Sequence, residues 1–447
     1  MFWAFFPGST ILSKPKLIFL FFLLATISIV VYDRFIDDPY QNYISEWHNR
    51  IIHHTAPAPT QYRILIPYLA EYLRNLTGGD LRYSYLFLKI FTTGLVAILL
   101  FYFASFWLNP IGCLFSVLIF FATLPLTFVW HFYQPMDLPN LLFFLLGYIF
   151  IVRNKDYLLY LLLPLAMLNR ETAILLVLVY FFVRLEEKPL PVILGNSLLL
   201  GIIGLGVYFA LRHLIGIKEY YSDAFYLKYN LSDPKAYLYS LLFLNLGLFI
   251  SWVNWREKPK FFRRAMLFVP FFLAIHWSMT LMKEPRLLLP LGPLFWVLGI
   301  WENFPSLRIK TITETKTNYQ FPMIFKITGY LILTGIFLIF LAWFYHFYSQ
   351  LHLRNRWRQQ KVENLLNEAS IYLSMNNKPA AKSDLLIAEQ LQPDSDEVNY
   401  QLGRFYYYYE YNLTRAKYYW EKCLQLNPDH HARPEILFYL SQIRPGQ

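Results

Sequence analysis

A chain of 447 residues that is 56% hydrophobic and only 15% charged, with a mean hydropathy of +0.34, falls outside the soluble globular class, where charge runs to roughly 25%. Its net charge of +11 is spread over loops and helix ends, with no long basic run and no nucleic-acid motif; this excludes nucleic acid as a partner and points to anionic membrane lipid or phosphate-bearing ligands. Only Cys113 and Cys423 are present, in unrelated segments, so no disulfide framework is expected.

Lys14 and Lys16 precede an apolar run over 17–32 that reads as an uncleaved signal anchor. Further apolar runs lie at 84–107, 111–130, 138–152, 157–168, 172–183, 190–211, 237–254, 265–282, 287–302 and 323–346. A full crossing takes about 20 apolar residues, so the pattern predicts an all-α polytopic membrane helix bundle of about eleven spans. Residues 33–83 form a large first loop with amphipathic helical stretches at 43–54 and 61–76. Residues 212–236 form a second loop rich in tyrosine, as expected at a headgroup belt.

Asn169-Arg170-Glu171 divides 157–183 into two runs of about twelve residues, lengths that suit a hairpin of half-spans better than one crossing. With a hairpin, the loops bearing Arg184/Lys188, Arg256–Arg264 and Arg308–Lys316 all fall on one side, which the positive-inside bias makes cytoplasmic. The expected placement is then a multi-pass protein of a bacterial inner membrane, N-terminus cytoplasmic and C-terminal segment outside. Residues 1–350 form the membrane domain.

From about residue 360 to 447 the composition becomes that of a soluble helical segment, and it repeats. Ala369, Tyr372, Ala381, Leu385, Ala388 and Pro393 recur as Gly403, Tyr406, Ala416, Trp420, Cys423 and Pro428. The offset is 34 residues in the first helix of each unit and 35 in the second. This resembles the tetratricopeptide repeat, and implies a small helical domain that packs on the membrane domain or engages a protein partner.

A charge carried into hydrocarbon costs from about 2.5 kcal/mol upward, so ionisable residues among the spans usually line a cavity or a pathway. They fall at Asp37-Asp38, Arg63, Asp137, Arg170-Glu171 and Lys283-Glu284-Arg286, all on the non-cytoplasmic side in this threading. Adjacent carboxylates at Asp37 and Asp38 suit a general base or a cation site, or else a solvated loop start. Arg63 places a cation on an apolar helix of the first loop. Asp137 suits a helix N-cap as well as a catalytic role. Arg170 and Glu171 fit a buried ion pair, while Lys283, Glu284 and Arg286 fit a phosphate clamp, since arginine bonds two phosphate oxygens at once. His48, His53 and His54 lack a partner set for a metal and read as surface or headgroup residues.

These residues resemble the C-type (GT-C) integral-membrane glycosyltransferases. The resemblance rests on Asp37-Asp38 after the first span, on Tyr62-Arg63-Ile64-Leu65-Ile66-Pro67 and on Asp137. It rests also on Asn169-Arg170-Glu171-Thr172, and on Lys283-Glu284-Pro285-Arg286 leading to Pro290, which looks like the Lys-Glu-x-Arg-Phe-x-x-x-Pro motif of lipid-linked-mannose transferases. It implies a polyprenyl-phosphate-linked sugar donor, a glycan, lipid or protein acceptor, and inverting transfer at the outer face. Asp37, Asp38 or Asp137 would act as base, and Arg63, Arg170, Glu171, Lys283, Glu284 and Arg286 would bind phosphate or sugar. No cofactor is expected, and no metal is assigned. Two other classes fit the same chain less fully: an O-antigen-ligase or polymerase-like enzyme, whose long late outer loop is missing, and a transporter or flippase, whose inverted repeats are missing.

Overall fold

A computed structural model describes residues 14–37, 41–128, 135–220, 225–244, 255–309 and 352–443. Asp38 and the run at 323–346 lie outside the described residues. The chain divides into two units, residues 1–317 and 318–447. Among the described residues every extended element is a helix.

In the first unit the helices are α1 (Lys14–Tyr32), α2 (Gln41–Ile52), α3 (Leu65–Thr77), α4 (Leu81–Ala104), α5 (Pro110–Phe128) and α6 (Asp137–Val152). They continue with α7 (Leu159–Asn169), α8 (Leu176–Arg184), α9 (Leu190–Ile215), α10 (Leu227–Ser232), α11 (Pro234–Leu244), α12 (Lys260–Ala265), α13 (Val269–Met279) and α14 (Gly292–Asn303). Four stretches, Lys14–Tyr32, Leu81–Ala104, Pro110–Thr127 and Leu190–Ile215, are long and apolar enough to cross a membrane. Asp137–Val152 and Asp156–Asn169 are apolar but shorter.

Local chemistry sets these boundaries. Gly78 adopts φ +61 after α3, a left-handed stop that costs a residue without Cβ nothing. Asp80 then caps α4, its carboxylate accepting the Arg82 backbone N–H at 3.0 Å. Within the first loop, Arg63 does not sit on a helix as expected. It lies in the break between a single turn at Thr60–Tyr62 and the start of α3. Tyr62 ties that break to the end of α9, its hydroxyl donating to the Gly216 carbonyl at 3.0 Å.

The split at 169–171 is a hairpin. Arg170 is extended (φ −161, ψ 131), ending α7, and a short turn over Glu171–Leu175 leads into α8. The far ends of the two helices meet: Arg184 Nε of α8 donates to Asp156 Oδ2, just before α7, at 3.0 Å. Both arms also reach the same point on α9. Tyr160 Oη donates to Asn196 Oδ1 at 3.1 Å, and Asn196 Nδ2 donates to Tyr180 Oη at 2.9 Å.

Two ends of the bundle follow from α6, whose 16 residues separate them by about 24 Å. Asp137 and the hairpin tip mark one end. Arg153, donating to Tyr102 Oη at the close of α4, marks the other, together with Arg184 and Lys188 on Asp156, Lys260 near Glu187 and Lys258 on Glu302. The basic loops that alternate along the sequence therefore gather at the end opposite Asp137.

In the second unit the described helices are α15 (His352–Ser374), α16 (Lys378–Leu391), α17 (Asp396–Tyr408), α18 (Leu413–Leu426) and α19 (Arg433–Gln442). α15 pairs with α16 and α17 with α18 as successive helical hairpins. Asn377, Ser395 and Asn412 cap α16, α17 and α18 through their side chains. Gly403 lets α17 approach α18: a Cβ there would lie 2.3 Å from the fully buried Trp420 ring. That explains why small residues recur at 369 and 403, where Ala369 is likewise buried.

Candidate functional site

At the Asp137 end, three elements distant in sequence deliver ionic groups to one place. Asp137 opens α6, yet its carboxylate does not cap that helix; Met136 occupies the cap position and makes no side-chain cap bond. Its oxygens are taken instead by two arginines. Arg170, at the hairpin tip, pairs with Oδ1, and Arg286 Nη1 donates to Oδ2 at 2.8 Å. Arg286 also pairs with Glu284 through Nη2. Asp137, Arg170, Glu284 and Arg286 are between 4% and 7% exposed. Beside them Arg63 holds Glu171 in a two-pronged bond, with Nε at 3.1 Å and Nη2 at 2.5 Å, and lies within electrostatic reach of Arg170 and Arg286.

Such burial is costly unless every charge is matched, and here three arginines face three carboxylates. The hydrogen bonding is nevertheless incomplete. Arg170 Nε, Arg286 Nε and Asp37 Oδ1 are buried without a partner among the described residues, as are Oδ1 of Asn140 and of Asn169. Asn140 is one turn into α6, and Asn169 adjoins Arg170, where its amide donates to the Met136 carbonyl at 3.0 Å. Native proteins rarely leave buried polar atoms unmatched, at about 1–3 kcal/mol each, and five of those among the described residues fall in this region.

A cleft opens beside the cluster. It is narrow, and is lined by residues that include Tyr32, Tyr85, Lys89, Thr92, Asp137 and Arg286. A smaller cleft adjoins it, with Asp33, Asp37, Arg82, Tyr85 and Lys89 in its wall. Asp37 is buried there and pairs with Lys89. Lys89 and Tyr85, one turn apart on α4, belong to both clefts and so link Asp37 to the Asp137 cluster.

Of the residues singled out in the sequence, Arg63, Asp137, Arg170, Glu171, Glu284 and Arg286 converge, and Asp37 stands next to them. Lys283 does not join: its ammonium donates to Tyr229 Oη at 2.9 Å. Its neighbours Glu284 and Pro285 turn the chain, so that Arg286 alone of the two cations faces Asp137. Lys89, Tyr85, Tyr32 and the Arg82–Asp33 pair carry no mark in the sequence reading. A lone lysine about 12 Å into an apolar helix was the available signal.

His48 is a correction. It is fully buried rather than a surface or headgroup residue. Its Nδ1 lies 2.9 Å from Tyr85 Oη, and its Nε2 lies 2.8 Å from Glu71 Oε2. It shares no ligand set with His54, whose Nδ1 faces the Gln61 amide at 3.3 Å. In the second unit Glu397, His430 and His431 come together, but the Ala432 N–H donates to His430 Nδ1 at 3.2 Å. That leaves Nε2 as the ring's N–H, directed to Glu397 Oε2 at 3.3 Å, a hydrogen bond rather than a metal ligand.

No family model, curated protein or solved structure matches this chain.

Proposed function

We propose that this protein is a membrane glycosyltransferase that moves a sugar from a polyprenyl-phosphate-linked donor to an acceptor hydroxyl. The observation that carries this reading is the set of unmet hydrogen bonds in the Asp137 cluster, of which those of Arg286 and Asp37 belong to residues lining the clefts. Two buried guanidinium N–H donors, on Arg170 and Arg286, are of the kind a phosphate takes up. The open carboxylate oxygen of Asp37 is of the kind an acceptor hydroxyl or a sugar takes up. Donors and acceptors are thus left over in the combination that a sugar phosphate and a nucleophile need.

In this reading Asp37 or Asp38 removes the acceptor's proton, with Asp137 the next candidate base, and the oxygen attacks the anomeric carbon with inversion. The bond from that carbon to the lipid phosphate breaks, and Arg170 and Arg286 balance the departing charge without rearranging, because carboxylates already hold them in place. Arg63 and Glu171 brace the hairpin tip, and Glu284 steers Arg286. The resemblance to the GT-C enzymes supports the same roles. About eleven crossings, a cytoplasmic basic end in a bacterial inner membrane, and C-terminal tetratricopeptide-like repeats outside complete the proposal.

The test measures donor binding and transfer on the same purified variants, with undecaprenyl-phosphate-linked hexoses and pentoses as donors. Arg286→Ala should lose both donor affinity and turnover, whereas Asp37→Asn and Asp38→Asn should leave binding intact, one of them slowing turnover about 10²–10⁴-fold. Unchanged donor binding in Arg286→Ala would remove the clamp and leave Arg286 as a structural partner of Asp137 and Glu284.

A further inference from the structure

Resting on that reading, the chemistry leaves one proton to account for. The donor is a phosphodiester with one negative charge, and the acceptor enters as a neutral hydroxyl. The products are the glycoside and a lipid phosphate monoester, whose second ionisation has a pKa near 6, so at pH 7 it leaves largely as a dianion. One C–O bond to phosphate breaks, one C–O bond to the acceptor forms, and one proton must leave a cleft walled by apolar helices in every cycle.

A route out is present. Asp37 and Tyr85 share the smaller cleft. Tyr85 Oη contacts His48 Nδ1 at 2.9 Å, and His48 Nε2 contacts Glu71 Oε2 at 2.8 Å. Glu71 is 21% exposed, so the series runs from the cleft to the surface through a fully buried imidazole with both nitrogens engaged. With Glu71 ionised, the network makes Nε2–H the donor to Glu71 and Nδ1 the acceptor of the Tyr85 hydroxyl, the order a relay requires. We propose that Tyr85, His48 and Glu71 form a proton relay that carries the acceptor's proton from the cleft to solvent.

In the forward step Tyr85 receives the proton from the cleft side and passes its own to Nδ1. His48 hands its Nε2 proton to Glu71, which releases it; the relay resets when the imidazole turns to bring its protonated nitrogen to Glu71 and its bare one to Tyr85, and the Tyr85 hydroxyl turns back to donate to it. No charge accumulates on the chain. The charged and titratable groups facing His48 are Glu71 and Arg74 on α3, Tyr85 on α4 and His53 on its own helix. Burial pushes the imidazole below its ordinary value, against the opposing pull of Glu71, so it rests neutral and ready to accept. Glu71 stays below the usual carboxylate range: burial works against this, and the His48 bond and Arg74 outweigh it.

The experiment compares His48→Gln and Tyr85→Phe with wild type, using a labelled undecaprenyl-phosphate hexose that wild type transfers and a membrane glycolipid extract as acceptor source. Glutamine keeps hydrogen-bonding groups but cannot carry a proton, and phenylalanine keeps the ring. Both variants should lower kcat by about tenfold or more at unchanged donor Kd, flatten the pH profile of kcat and raise its solvent deuterium isotope effect. If one variant fails to fold, the other carries the test alone. Unchanged kcat and isotope effect in either folded variant overturn the relay, and leave His48 as a strut between α2, α3 and α4. Absence of any transfer by wild type overturns the glycosyltransferase reading and the relay with it, an outcome distinct from a wild type that works and variants that match it.

Discussion

At the scale of single residues, the organising atom pair is the Asp137 carboxylate. Among the described residues it pairs with Arg170, and it is one of two carboxylates that pair with Arg286. Removing it strands Arg170 and leaves Arg286 to Glu284 alone, whereas removing Arg170 leaves a carboxylate that Arg286 still holds. Asp137→Asn should therefore cost more than Arg170→Gln, on the order of 3–5 kcal/mol for a broken buried pair. Thermal unfolding of both variants in detergent checks the order, and a reversed ranking would remove Asp137 from the centre. The candidate charges were legible in the sequence because each interrupts an apolar run, and a charge in hydrocarbon needs a reason. Their pairing was not. Asp137 and Arg286 are 149 residues apart, and no local rule says which cation a carboxylate will meet. Lys89 interrupts its apolar run in the same way and carries the same signal, whereas the burial of His48 by α3 and α4 is a tertiary event that no local pattern announces.

At the scale of elements, apolar length was the most readable signal, and the clearest departure is at the first loop. The α4 helix starts at Leu81, three residues before the apolar run itself, because Asp80 caps it and Arg82 is held by Asp33, with Nη2 at 2.6 Å. The recurrence of small residues in the C-terminal segment foretold close helix crossings, and α17 against α18 shows what it costs to lose one. Replacing a helical glycine by alanine normally gains about 1 kcal/mol, but overpacking a tight contact costs about 1–3 kcal/mol. At Gly403 the new methyl meets the rigid, fully buried Trp420 indole at 2.3 Å, so the clash should win and Gly403→Ala should destabilise the segment. At Gly147 the obstacle is the tip of Leu176 at 2.7 Å, which can change rotamer, so Gly147→Ala should be milder. Unfolding midpoints of the two variants decide it, and equal losses would mean that ring rigidity does not govern the cost.

At the scale of the whole molecule, the basic end and the Asp137 end define a polarity that labelling can orient. A cysteine at Lys260, on the basic end, and one at Lys417, on an exposed turn of α18, should react with an impermeant maleimide from opposite sides of the membrane. The native Cys113 and Cys423 are buried and should stay silent. Reaction of both from one side would reverse the proposed topology of either the basic end or the C-terminal segment. The α7–α8 hairpin gives this polarity a further meaning. Because its two arms leave from the end they entered, the hairpin contributes an even number to the odd-or-even count of passages through the bundle. A variant that fused the arms into one rod would change that parity, and α9 would run upside down relative to α1–α6. Three residues, Asn169, Arg170 and Glu171, thus act as a bit of orientation memory, and the groups that hold the bit are the same ones that meet Asp137 and Arg63.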